Sequence, residues 1–323
     1  MINNYFQRGN LNFRDKIMSL DYLLIFLVLI LGVISFFAMY STERGNFDYY
    51  TKSHIYRFCI FFLFFIIFSF FSIQFWNKAA YPFYFIILLL LVGVDFFGVT
   101  ASGSKRWISF VIFNLQPSEL MKISIIVLLA KYYNKIPSHG VNSIKHMVLP
   151  VFILFIPVFL VITQPDLGTA LLITISGLAV IWLAGFRMKY FLFSFATLVC
   201  LMPVVIAFLK PYQKSRILSF LNPERDPLGA GYQIIQSKIA VGSGGIMGKG
   251  FLQGSQSYLD YLPEKHTDFI FTLFSEEFGF FGSLTILLIY GLIVLRIIKI
   301  GDSTRSNFGK LYCYSFATAF FIY

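Results

Sequence analysis

Residues 23–40 read LLIFLVLILGVISFFAMY, with no charged side chain among them. About 20 such residues cross a bilayer as a helix. The pattern recurs along the chain and limits the fold more than any motif does. A backbone in lipid has no water to bond to, so it must satisfy its own polar groups as a helix or a closed barrel. The run lengths predict spans near 22–40, 55–76, 80–100, 119–133, 147–163, 167–184, 190–208 and 269–297, with a ninth beginning near 311. The expected fold is all-α: a polytopic membrane helix bundle of eight complete spans and part of a ninth. Charged residues make up only 13% of the 323, against about 25% in soluble domains, so the chain cannot clothe itself for water.

The formal charge of +11 would suggest nucleic acid on a soluble protein. Here the basic residues read as loop anchors, and no nucleic-acid partner is expected. Arg8, Arg14, Lys16, Lys78, Lys131, Lys135, Lys145, Arg187, Lys189, Arg296, Lys299, Arg305 and Lys310 fall in one set of loops. Arg44, Lys52, Lys105 and Arg106 fall in the short loops of the other set. The positive-inside rule then puts the N-terminus in the cytoplasm. Residues 1–21 read as a cytoplasmic segment before a retained first helix, 22–208 as spans one to seven, and 209–268 as one large extracytoplasmic loop. Residues 269–323 then hold span eight, a cytoplasmic loop and the start of span nine. Cys59, Cys200 and Cys313 lie in or beside apolar runs with no CxxC spacing, so neither a disulfide nor a thiolate metal site is expected.

The large loop has internal order. In GYQIIQSKIAVGSGG, Tyr232, Ile235 and Ile239 recur at helical spacing before Gly242, Gly244 and Gly245, which predicts a short amphipathic helix at the outer interface.

Ionisable residues gather where three spans begin on that outer side. Glu119 and Lys122 open one span in QPSELMK, Asp166 opens another in QPDLGT, and Asp268 opens a third in LPEKHTDFIF. Charges at membrane segments are costly and point to function. Each also has a plain structural account: Pro117 and Pro165 suit a first helical turn, Asp166 and Asp268 suit N-caps, and Glu119 and Lys122 pair at i, i+3. The two accounts stay open for each acid. Asp268 has more polar company than a cap needs, with Glu264, Lys265 and His266 just before it. Glu276 and Glu277, two to three turns deeper, read as structural. Lys105 and Arg106 in GSKRW and Lys249 in GSGGIMGKG are basic residues on the side where few stand, which invites an anion such as a diphosphate. The glycine-rich stretch lacks the P-loop spacing.

GSKRW, QPSELMK, QPDLGT, GSGGIMGKG and LPEKHTDFIFTLFSEEFGFFG occur here in the order found in the SEDS family (shape, elongation, division and sporulation). GSQSYLDYLPEKHTDFIF resembles its RodA branch more than its FtsW branch. The family usually has ten spans, so the resemblance implies a C-terminally truncated copy. It further implies an inverting peptidoglycan glycosyltransferase in the bacterial cytoplasmic membrane, with an outward-facing site in the 209–268 loop. The enzyme would join lipid II units into glycan strands for cell elongation and rod shape, beside a class B penicillin-binding protein.

The implied base is Asp268, taking the proton from the acceptor sugar's 4-hydroxyl. Arg106, Lys249 and Lys238 are candidates for the departing diphosphate, and Trp107 for stacking on a sugar or closing the groove. Glu264, His266 and Thr267 complete the substrate contacts. Glu119, Lys122, Asp166, Glu276 and Glu277 are supporting polar residues. A divalent cation, Mg or Mn, is implied by the resemblance, and no organic cofactor. Membrane lipids surround the protein. Two other functions compete: a lipid II flippase, and a non-catalytic scaffold for the penicillin-binding protein.

Overall fold

The computed structural model describes residues 13–323 apart from 102–103, 110–113, 138–139, 209–210, 228, 230, 256–261 and 263–264. It is built from helices α1 (Phe13–Met18), α2 (Tyr22–Thr42), α3 (Tyr49–Ser69), α4 (Ile73–Phe97), α5 (Pro117–Asn134), α6 (Ile144–Thr163), α7 (Leu167–Leu183), α8 (Met188–Phe208), α9 (Pro211–Leu221), α10 (Tyr232–Gly244), α11 (Ile270–Ser303) and α12 (Asn307–Ile322). Among the described residues, α2, α3, α4, α11 and His146–Thr163 of α6 are long and apolar enough to cross a membrane. Leu167–Leu183 and Met188–Leu201 are shorter apolar helices. The chain is a membrane protein of the helical class.

Two expected spans are displaced. Residues 55–76 become α3 at Tyr49–Ser69, and 80–100 become α4 at Ile73–Phe97. The turn between them falls inside an apolar run, where hydropathy gives no warning. Ser72 marks it, its hydroxyl accepting from the Phe75 amide at 3.2 Å as an N-cap. A second difference is a small antiparallel sheet, which the all-α expectation lacked. β1 (Val99–Ala101), β2 (Ser104–Ser109) and β3 (Asn114–Leu115) lie in the order β1-β2-β3, with Val99 opposite Trp107 and Ile108 opposite Leu115. Thr100, Trp107 and Ile108 are residue types that favour such strands.

The chain forms two compact units, Met1–Phe70 with Phe195–Ile293, and Phe71–Ser194 with Val294–Tyr323. In the second, α5 is the central helix and packs on α4, α6, α7 and α12. Met121, Ile125, Ile126, Leu128 and Leu129 are sealed from solvent there. A helix wrapped by protein needs no apolar face for lipid, so α5 tolerates Ser118, Ser124 and Lys131 in buried positions. That is why its run looked short by hydropathy alone.

α6 carries Pro150 and Pro157 in its interior. A proline lacks the amide that would bond the carbonyl four residues earlier, so Pro157 strands the Ile153 carbonyl. The hydroxyl of buried Tyr84 on α4 donates to that carbonyl at 2.7 Å. An orphaned carbonyl in an apolar interior is expensive, which makes Tyr84 part of what lets α6 bend. Tyr84→Phe is expected to lower stability by about 1–3 kcal/mol, read as a fall in melting temperature in detergent. An unchanged melting temperature would show that the carbonyl is satisfied some other way.

Candidate active site

The segment before Asp268 is fixed by the α2–α3 turn, in the first unit. Glu43 follows α2, and its carboxylate accepts from the amides of Tyr50 at 2.8 Å and Thr51 at 2.9 Å, capping the first turn of α3. Burial opposes charge on Glu43. Hydrogen bonds from Thr51, Tyr50 and Asp48 outweigh it and hold the carboxyl below its ordinary 4.5. The ring of Tyr50 stacks on His266, with centroids 4.0 Å apart and planes 12° apart. Thr42 Oγ1 donates to the Met39 carbonyl at 2.7 Å and lies 2.8 Å from His266 Nδ1. Since that hydroxyl has one proton, the network assigns the Nδ1 proton to His266.

Lys265 is buried, whereas Thr267 and Asp268 are exposed. No hydrogen bond or ion pair engages Asp268 among the described residues. The Leu273 amide donates to the Phe269 carbonyl at 3.1 Å, so Phe269 stands at the N-cap of α11 and Asp268 one residue outside it. The carboxylate is thus held at a fixed place and left open. Glu264 lies outside the described residues.

Nine residues into α11 the helix is broken. Gly279 takes φ 64°, ψ −159°. In an unbroken helix the Phe280 amide would bond the Glu276 carbonyl, and Phe281 the Glu277 carbonyl. Instead the Lys249 and Gly250 amides, each at 3.0 Å, donate to Glu276 and Glu277. Phe280 donates to the Gly245 carbonyl at 2.9 Å and Phe281 to that of Ile246 at 3.3 Å. The 245–250 loop has been inserted between two turns and takes over both severed bonds. Gly248 has φ +83°, and a Cβ on it would collide with the Glu277 carbonyl.

α10 forms where the glycine-terminated pattern placed a helix, but its packed face is a different one. Ser237 Oγ bonds Thr272 Oγ1 at 2.9 Å, Ala240 is buried and Gly244 lies against the Ser275 carbonyl, whereas Ile239 is exposed. Small residues face α11 because the backbones approach closely there.

The two adjacent acids diverge. Glu276 is fully buried and accepts from Lys249 Nζ at 2.6 Å, from the Ser255 amide at 3.0 Å and from its hydroxyl at 2.8 Å. Glu277 accepts from the hydroxyl of Ser41 at the end of α2. Lys249, expected at the diphosphate, is therefore engaged by Glu276. Lys238 on α10 is exposed and unpaired among the described residues.

The remaining predicted residues belong to the second unit. Arg106 donates to the Gln164 carbonyl at 3.2 Å and to the Pro165 carbonyl, and its guanidinium lies 3.6 Å from Asp166. Asp166 caps α7, accepting from the Thr169 amide at 3.1 Å, and also accepts from Gln116 at 3.2 Å. Pro117 occupies the first turn of α5, but Pro165 stands before the cap of α7 rather than in its first turn. Lys105 donates to the Asp95 carbonyl at 2.7 Å, at the C-terminal end of α4, where a cation is favoured. The two misplaced basic residues thus have backbone partners. Trp107 is half-buried on β2. Glu119 and Lys122 pair at 2.8 Å along α5.

Thr42, Glu43, Tyr50 and Ser255 were not singled out from sequence. The signals available were a carboxylate just past the end of a span and a tyrosine at the head of the next. Among the described residues no three His, Cys, Asp or Glu side chains come together as a metal's ligands would.

A family model described as Cell cycle protein (FtsW/RodA/SpoVE) matches residues 18–323. The chain is 41% identical over 241 residues to the peptidoglycan glycosyltransferase MrdB of Escherichia coli K12, a match covering 74% of this chain and 65% of that one. It thus spans just under two thirds of that relative's length. A solved chain from a peptidoglycan synthase complex that coordinates polymerization and crosslinking superposes with TM-score 0.78 at 30% identity, over 93% of this chain and 83% of that one. The crystal structure of Thermus thermophilus rod shape determining protein RodA has the same fold, with TM-score 0.67 at 23% identity over 93% and 81%.

Two outcomes follow from the site's own bonds. Removing one partner of a buried ion pair strands the other, so Lys249→Met is expected to cost about 3–5 kcal/mol. Adding Glu276→Gln to it should recover part of that loss in a thermal double-mutant cycle, and strictly additive effects would show that the pair is not coupled. For Glu43, whose folded pKa is depressed, the stabilisation is present above 4.5 and lost as pH falls through the folded value. The gap in melting temperature between wild type and Glu43→Gln should be steady near neutrality and narrow below pH 4.5. A gap that persists unchanged in acid would rule out the charged cap.

Proposed function

Because the chain belongs to the FtsW/RodA/SpoVE family of cell cycle proteins, we propose that it is a peptidoglycan glycosyltransferase joining lipid-linked disaccharide units into glycan strands. The observation that carries the reading is Asp268 itself. It is an exposed carboxylate at the mouth of α11, unpaired among the described residues, and it follows a histidine clamped between Tyr50 and Thr42.

In this reading the mouth of α11 faces outward from the cytoplasmic membrane. Asp268 removes the proton from the 4-hydroxyl of the acceptor sugar as that oxygen attacks the anomeric carbon of the donor. The bond to the lipid diphosphate breaks, the diphosphate leaves with the electron pair, and the anomeric carbon inverts. Of the cations expected at the diphosphate, Lys238 is the one whose charge is uncommitted among the described residues. Lys249 serves the helix break, and Arg106 the start of α7. A class B penicillin-binding protein would crosslink the strands, in keeping with the synthase complex to which the chain is similar.

The test is strand formation by the purified chain from labelled lipid II in detergent, where there is no bilayer to cross. Asp268→Asn is expected to slow it by about 10²–10⁴-fold while the melting temperature is kept. Undiminished strands from Asp268→Asn would refute the role of this carboxylate. No strands from wild type, with lipid II translocation in vesicles, would indicate a flippase. Neither activity, with partner binding intact, would indicate a scaffold.

A further inference from the structure

Polymerisation joins two molecules that each carry a lipid diphosphate, so one cation near the base is not enough. α3 supplies a second. Tyr50, His54 and Arg57 fall at i, i+4 and i+7 and therefore share one face of the helix. At the top of the face, Tyr50 stacks on His266, two residues from Asp268. One turn down, His54 Nε2 lies 2.9 Å from the hydroxyl of Ser35 on α2. A further turn down, Arg57 is exposed, and no carboxylate pairs with it among the described residues.

Only Thr51 is buried in α3, which is one of the helices long and apolar enough to span. A bare guanidinium about 12 Å along such a helix from Tyr49 calls for an anion at membrane depth. Below it the same face continues as Phe61, Phe64 and Phe68, all exposed, with Phe64 and Phe68 stacked at 5.8 Å. The face is cationic at its upper end and aromatic below, complementary to a molecule with an anionic head and a hydrocarbon tail.

We propose that Arg57 holds the diphosphate of the acceptor lipid, with its polyprenyl chain laid along Phe61, Phe64 and Phe68. This rests on the glycosyltransferase reading above. The acceptor keeps its diphosphate while its far sugar gives up the 4-hydroxyl proton. Its two reacting ends must therefore reach a base and an anion site one disaccharide apart. Tyr50 and Arg57 are separated by about 10 Å along the helix, a distance a disaccharide spans.

The experiment uses the chain in nanodiscs with labelled lipid II. Arg57→Gln is expected to raise KM for lipid II by about tenfold or more with a much smaller change in kcat, and Arg57→Lys to recover most of the loss. An unchanged KM, or a loss confined to kcat, overturns the proposal. So does recovery of Arg57→Gln by added phosphatidylglycerol, which would make bulk phospholipid the occupant. A binding arm separates this proposal from the reaction. Sugar-bearing polyprenyl diphosphate should be retained by Asp268→Asn and released by Asp268→Asn with Arg57→Gln. Equal retention by both sinks the acceptor site alone, and retention lost with Arg57→Gln upholds it even if wild type forms no strands.

Discussion

The exchange of hydrogen bonds at Gly279 is the constraint on which the first unit depends. A helix in a membrane cannot simply be cut, because each severed bond leaves a donor and an acceptor with no water to take them. The 245–250 loop supplies two amides and two carbonyls in their place. Glycines make this possible, at 248 and 279 through positive φ and at 244 through close approach. Once the loop is seated, Lys249 is delivered to Glu276, Ser255 follows, and the chain from there to Asp268 has a fixed origin.

Charged groups then divide into those already used and those left over. Glu276, Glu277, Arg106, Asp166 and Lys105 all have partners that belong to helix ends or to the break. Their charges stabilise backbone that is irregular by necessity. Asp268, Lys238 and Arg57 have none among the described residues. In a membrane protein an unpaired charge is costly, and its persistence is best accounted for by a ligand that pairs with it.

The legible part of the fold was what hydropathy measures. α2, α7 and the long α11 stand where apolar runs put them, within a few residues. The α3–α4 turn was not legible, because its stop signal is one serine cap inside a continuous apolar stretch. The small sheet was missed because its strands are two to six residues long, too short for periodicity to register. In the site, the position of Asp268 at the head of a helix could be read from HTDFIF. The clamp on His266 could not, since Thr42 and Tyr50 lie more than 200 residues away in sequence.

By itself the sequence determined that the chain is a helical membrane protein and where its acids and glycines cluster, because transfer from water to lipid depends on local composition alone. Only the tertiary structure decided which charges are spent on the fold and which remain for chemistry. Ser41 meets Glu277 across 236 residues, and Arg106 meets the Gln164 carbonyl across 58. A hydrogen bond acts over about 3 Å, so its partner is chosen by how the helices pack and not by where residues stand in the chain.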